Sequence, residues 1–133
     1  MTHHSDHNVQ IMTDCHNICL QTMSHCLDKG GDHAQTEHIT LLLDCAEICQ
    51  TAANFMLRNS ELHSRVCAIC AEVCDRCAED CERVAAGDDM MQQCAHTCRS
   101  CARACRKMSR QTGRRRQASA ALSGHTARSG DGS

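Results

Sequence analysis

The chain has 133 residues, enough for one domain and too few for two comfortable ones. Its 14 basic residues nearly cancel 16 acidic ones, which excludes disorder driven by net charge. Leu, Ile, Val and Phe together number only 18, Phe55 is the sole aromatic and proline is absent, so something other than aliphatic packing must hold a core. The 14 cysteines are the candidate, because cysteine packs as a small hydrophobe and also ligates metal.

The first ten residues are polar, with no apolar stretch of signal-peptide length and no twin-arginine pair. A cytosolic location is therefore expected, and in that reducing compartment a cysteine-dense chain binds metal more often than it forms a disulfide scaffold. No run of about 18 apolar residues occurs, so no membrane span is expected.

The first helix is predicted from Asn8 to Leu27 and carries Cys15, Cys19 and Cys26; the flexible turn Asp28-Lys29-Gly30-Gly31-Asp32 ends it. The second runs from His33 to Leu57 with only Cys45 and Cys49, and stops at Arg58-Asn59-Ser60, where the serine is placed to cap the next helix. The third, Glu61 to Ala86, bears Cys67, Cys70, Cys74, Cys77 and Cys81. Gly87 and the capping Asp88 separate it from the fourth, Asp88 to Gln111, with Cys94, Cys98, Cys101 and Cys105. Short links between helices of similar length predict an all-α, antiparallel, up-down-up-down four-helix bundle with a cysteine-lined core. It is expected to span residues 1–112, followed by a disordered, basic, Ser/Gly-rich tail over 113–133. Arg114, Arg115 and Arg116 lie in that tail without an aromatic platform or a recognised module, so no nucleic-acid partner is expected.

The cysteines of helices 3 and 4 alternate steps of three and four residues. At about 100° per residue they fall within arcs of about 80° and 60°, the a/d seam of a heptad. The other five cysteines keep the same phase, so all 14 converge on the bundle axis. Four chemistries use such a seam. Disulfides along one helix face would link Cβ vectors that run parallel and would constrain little. Zinc needs four ligands at one point, which a single helix stripe does not offer without its neighbours. An iron-sulfur site would need a loop-wrapping run closed by proline, absent here. Cu(I) is soft, favours thiolate and accepts two or three ligands, so two thiolates one helical turn apart hold one ion. Cys15/Cys19, Cys45/Cys49, Cys70/Cys74, Cys77/Cys81, Cys94/Cys98 and Cys101/Cys105 are such CxxxC pairs. If all participate, 14 thiolates balance about 14 monovalent ions, a capacity that suits storage rather than catalysis.

These repeated CxxxC pairs and the two cysteine ladders resemble the copper storage proteins, cysteine-rich four-helix bundles, over residues 8 to 111. The resemblance implies a non-enzymatic protein that binds many Cu(I) ions through inward thiolates, assembles into tetramers and belongs to a cytosolic branch. Zinc binding remains an alternative. So does a thiol redox role, suggested by the CxxC units Cys67/Cys70, Cys74/Cys77 and Cys98/Cys101, although a redox enzyme of that kind would sit beside a βαβ pattern.

Antiparallel topology gathers Met12, Met56, His63 and Met108 at one end, a soft neutral pole suited to copper entry. Cys26, His38, Cys81, Met90 and Met91 gather at the other, and His38 is an accessory-ligand candidate. A second apolar stripe, Leu20 and Leu27 on helix 1 with Ile39, Leu43 and Leu57 on helix 2, lies well away from the cysteine seam. It predicts homo-oligomerisation.

Overall fold

The computed structural model describes residues 3–123, with side chains over 6–110. Four helices, α1 (His3–Lys29), α2 (Thr36–Leu57), α3 (His63–Ala85) and α4 (Asp89–Ser123), are joined by short connections, one of which contains a 3-10 turn at Gly31–Ala34. Each helix packs on its sequence neighbour, and α1 closes the ring against α4, which makes the up-down-up-down bundle that the short links predicted.

The helix ends follow local chemistry. Gly30 and Gly31 have φ of 75° and 60°, which breaks the helix and leaves His33 in the 3-10 turn, so α2 starts at Thr36 rather than His33. At the end of α2, Asn59 takes φ 57°; its N–H bonds the Met56 carbonyl at 3.0 Å and the Ser60 N–H bonds that of Phe55 at 3.0 Å. This is a Schellman closure with asparagine in the glycine position. The Ser60 Oγ accepts from the Leu62 N–H at 3.1 Å, capping a turn that leads into α3.

After α3 the chain turns through Ala86 (φ 40°) and Gly87 (φ 86°), and the Asp88 carboxylate caps α4 by accepting the Met91 N–H at 3.1 Å. Its other oxygen meets His25 Nε2 at 2.7 Å and Lys29 Nζ at 3.2 Å, tying the corner to α1. The hydrogen bond from His25, with the Met91 N–H and Lys29 adding to it, holds the Asp88 carboxyl well below the usual carboxylate range.

Helix α4 extends to Ser123, so 113–123 is helical where a disordered tail was expected. A lone Gly113 costs about 1 kcal/mol in a helix, and the Arg, Gln and Ala residues after it are good helix formers. The rest of that expected tail, 124–133, lies outside the described residues.

The core is sulfur and small side chains. All 14 cysteines are buried, and Ala46, Ala52, Ala53, Ala71, Ala78, Ala95 and Ala102 lie among them with Met12, Leu42 and Met91. Alanine at these positions lets helix backbones approach closely. That brings thiols from opposite helices across the axis, as Cys45 and Cys98 do at 3.8 Å. Arg99 and Arg106 on α4 pair with Asp75 on α3, and Arg99 also with Glu82. These pairs at or near the surface are worth about 1 kcal/mol or less each, and the core dominates.

Candidate metal centre

The helix faces bring the thiols together mostly across helices. Cys15 Sγ lies 3.9 Å from Cys45 and 3.8 Å from Cys98; Cys19 is 4.0 Å from Cys94 and 3.8 Å from Cys98. Cys49 meets Cys70, Cys74 and Cys101 at 3.7, 3.5 and 3.8 Å, and Cys45 meets Cys74 at 3.7 Å. Within single helices Cys70/Cys74 approach to 3.9 Å and Cys101/Cys105 to 4.0 Å. A metal–thiolate bond of about 2.3 Å places the corners of a three-coordinate site about 4.0 Å apart. The thiols of the core are therefore spaced for metal. All the thiols are free, and these separations are far from bonding distance for a disulfide.

Three groups of four sulfurs lie within 4.8 Å of one another: Cys15, Cys45, Cys49, Cys74; Cys15, Cys19, Cys45, Cys98; and Cys49, Cys70, Cys74, Cys101. Neighbouring helices supply the convergence that one stripe lacks. No single helix stripe presents four thiolates to one point, but three helices together do. What distinguishes these groups from closed zinc sites is sharing, since Cys15, Cys45, Cys49 and Cys74 each belong to two of them. A structural zinc site is a closed tetrahedron with its own four ligands; a continuous array of shared thiolates suits a monovalent ion of low coordination number.

The array continues at both ends. Cys77 neighbours Cys19 and Cys94, Cys81 neighbours Cys77 and Cys94, and Cys105 neighbours Cys67. Its electrostatics are those of crowded acids in a dry place. Hydrogen bonds from Cys19, Cys77, Cys81 and Cys98 hold Cys94 below the ordinary thiol range. Bonds to Cys15, Cys19, Cys45 and Cys77, with burial, push Cys98 up. The same split sets Cys70 low and Cys74 high, in both cases led by Cys101. A buried cluster holds some thiolates only if neighbouring thiols keep their protons to donate. Incoming metal displaces those protons.

The poles differ. At one, Met12 is fully buried, Met108 nearly so and accepting from Asn8 Nδ2 at 3.0 Å, while Met56 and His63 are half-buried; the His63 ring nitrogen Nδ1 lies 2.9 Å from the Ser60 carbonyl. At the other pole His38, 1% exposed, meets Cys26 Sγ through Nε2 at 3.3 Å and Asp80 Oδ2 through Nδ1 at 2.6 Å. Asp80 is the residue that sequence reasoning missed. It sits one position before a core cysteine, and nothing in helix phase marks it as a partner of α2. Thr22 and Leu42 were missed too, although phase would have found them. Both are fully buried on the cysteine stripes of α1 and α2. The CxxC units suggested for redox are buried in helices, closed to the partner access that thiol exchange needs.

A copper storage protein family model matches residues 1–110. An uncharacterised cysteine-rich protein, YhjQ, of Bacillus subtilis (strain 168) is 31% identical over 72 residues, 54% of this chain and 67% of the relative. Among solved structures, a protein of Nitrosospira multiformis is 46% identical with a TM-score of 0.69, covering 78% of this chain and 96% of its own. The Cu(I)-bound copper storage protein BsCsp3 is 31% identical with a TM-score of 0.74, covering 80% and 98%. The copper-free form of copper storage protein 3 from Bacillus subtilis is likewise 31% identical, with a TM-score of 0.71 over 79% and 98%. With its thiol-filled bundle core and a family match that spans all its cysteines, the chain belongs to the copper storage protein family.

Proposed function

We propose that this protein stores and sequesters Cu(I), without catalysis, on all 14 core cysteines. The observation that carries the reading is the shared array: buried sulfurs 3.5 to 4.0 Å apart drawn from four helices. Shared thiolates favour many bridged monovalent ions over a few closed sites, and each ion cancels one thiolate charge. The metal-binding unit is residues 1–112, and the thiol-rich core fits a reducing cytosol. Among the described residues no helix is long and apolar enough to cross a membrane. The pole of Met12, Met56, His63 and Met108 serves as an entrance, because thioether and imidazole hold Cu(I) more weakly than thiolate and pass it inward.

Anaerobic titration of the fully reduced protein with Cu(I), then Zn(II), against a competing chelator tests the reading. Saturation is expected near 14 Cu(I), one per thiolate. Saturation at one or two ions, or a preference for zinc, would sink it.

The outward face of α1 and α2 keeps Leu20, Leu27, Leu43 and Leu57 exposed, at 37, 54, 40 and 65%. Ile39 of the same stripe is packed against the core. A face of this kind buries against a second copy of the chain, a homo-oligomer for which the family resemblance suggests a tetramer. Light scattering coupled to size exclusion is expected to show an oligomer; a monomer at micromolar concentration would remove the idea.

A further inference from the structure

The Thr22 side chain of α1 lies on the cysteine stripe, three residues after Cys19 and four before Cys26, and is fully buried. Among the described residues its hydroxyl is the one buried side-chain oxygen or nitrogen without a hydrogen-bond partner. A threonine inside a helix commonly returns its hydroxyl to the carbonyl four residues back, as Thr13 does to Val9 at 2.9 Å. Thr22 does not, although an unpaired buried hydroxyl is costly and valine would fill the same volume. Packing therefore gives no reason for an oxygen at this position.

The register between helices shows what stands across from it. Cys19 meets Cys94 of α4 at 4.0 Å, and two turns further along α1 Cys26 meets Met91 at 3.2 Å. Thr22 falls between these two levels, which makes Cys94 the array sulfur that faces its layer from the adjoining helix. On α2 the same layer is filled by Leu42, fully buried between His38 and Cys45. The sulfur ladder is thus interrupted on α1 and α2 where it continues on α3 and α4, through Cys77, Cys81 and Cys94. Thiolates at such an edge have fewer sulfurs around them to share an ion with. The thiolate that holds copper there keeps more of its negative charge in dry surroundings, which a hydrogen-bond donor offsets and a hydrocarbon does not.

We infer that the Thr22 hydroxyl is a positioning group for the copper-bound form: it donates to the Cys94 thiolate and strengthens copper binding at the edge of the array without being a ligand. The inference rests on the copper reading above and deepens it. On loading, the Cys94 proton leaves to solvent and Cu(I) takes its place on the sulfur. A thiol is a weak acceptor and a charged sulfur a much stronger one, so the hydroxyl gains its partner only with the metal. Rotation about the Cβ–Oγ1 bond aims the hydrogen.

The test uses the full-length reduced protein with two variants: Thr22→Val, which keeps the β-branched shape without the hydroxyl, and Thr22→Ser, which keeps the hydroxyl. Before copper is added, Thr22→Val is expected to unfold about 4 °C or more above wild type, because the unpaired oxygen is gone. After anaerobic loading both variants should hold as many Cu(I) ions as wild type, since every thiol remains. Against a competing chelator Thr22→Val should bind the ions of this layer at least about tenfold more weakly, the size of one hydrogen bond to a charged group. Thr22→Ser should keep the wild-type affinity, and in a Cys94→Ala background the difference between threonine and valine should vanish. A residue that only packs would move stability and copper affinity in the same direction. Unchanged copper affinity in Thr22→Val, a fall in its copper-free midpoint, an equal loss in Thr22→Ser, or a loss that persists without Cys94 would each overturn the inference. Failure of the storage reading is a different result, in which wild type itself takes up only one or two ions.

Discussion

Loading the reduced protein with Cu(I) should raise its thermal unfolding midpoint by at least about 20 °C, and a strong chelator should restore the original value. The empty fold is held by few large side chains. Its core is 14 thiols, a set of alanines and a handful of Met, Leu and Val residues, and such small groups each return little on burial. Copper adds links that the unfolded chain cannot reproduce in the same geometry. Cys45 lies beside Cys15 of α1, Cys74 of α3 and Cys98 of α4, so ions bound around it join four helices. A single structural metal supplies about 10 kcal/mol or more to a small domain, and about 4 °C of midpoint per kcal/mol applies near this size. Calorimetry on the empty and loaded forms reads the difference. A shift of only a few degrees would mean that the metal sits outside the core.

The double variant Cys49→Ala, Cys74→Ala should lose more than the two Cu(I) ions that its own missing charges balance. Cys49 and Cys74 each belong to two of the four-sulfur groups, and Cys49 also touches Cys70 and Cys101. Removing both strips bridging ligands from neighbours that remain, and an unbridged thiolate in a dry core takes a proton back rather than stay charged. As a control, Cys67→Ala with Cys81→Ala at the two ends of the array should lose about two ions, because these thiols have fewer sulfur neighbours. Each small truncation costs about 1 kcal/mol in packing, so both doubles should remain helical. Chelator-competed titration of the two doubles beside wild type decides. Equal losses would show that the ions sit in independent pairs along single helices.

That contrast also locates the limit of the helix-phase argument. Cysteines repeating every three or four residues point to one face, and the phase alone placed all 14 inside, Cys26 and the thinly furnished α2 included. It did not say which sulfurs meet. The CxxxC pairs suggested ions held within single helices, whereas the structure sets many of the close approaches between helices, because alanines on the same stripes let the backbones draw together. Four thiolates on one point, which a single stripe does not offer, are likewise a property of three helices packed at a given register.

Boundaries were legible where a residue forces the backbone and not elsewhere. Gly30, Gly31, Asp88 and the Arg58-Asn59-Ser60 closure punctuate the chain much as expected. The helix continues past Gly113 because one glycine amid Arg, Gln and Ala costs less than a broken helix needs.

The sequence by itself therefore determined the four helices, their antiparallel order and the inward aim of the cysteines, since periodicity and turn residues are local properties. Only the tertiary structure decided the shared sulfur array, the Asp80 carboxylate that orients His38, and the break at Thr22 and Leu42 that sets Cys26 apart. Each depends on the register between helices, which is fixed by packing of whole faces and is written in no single segment.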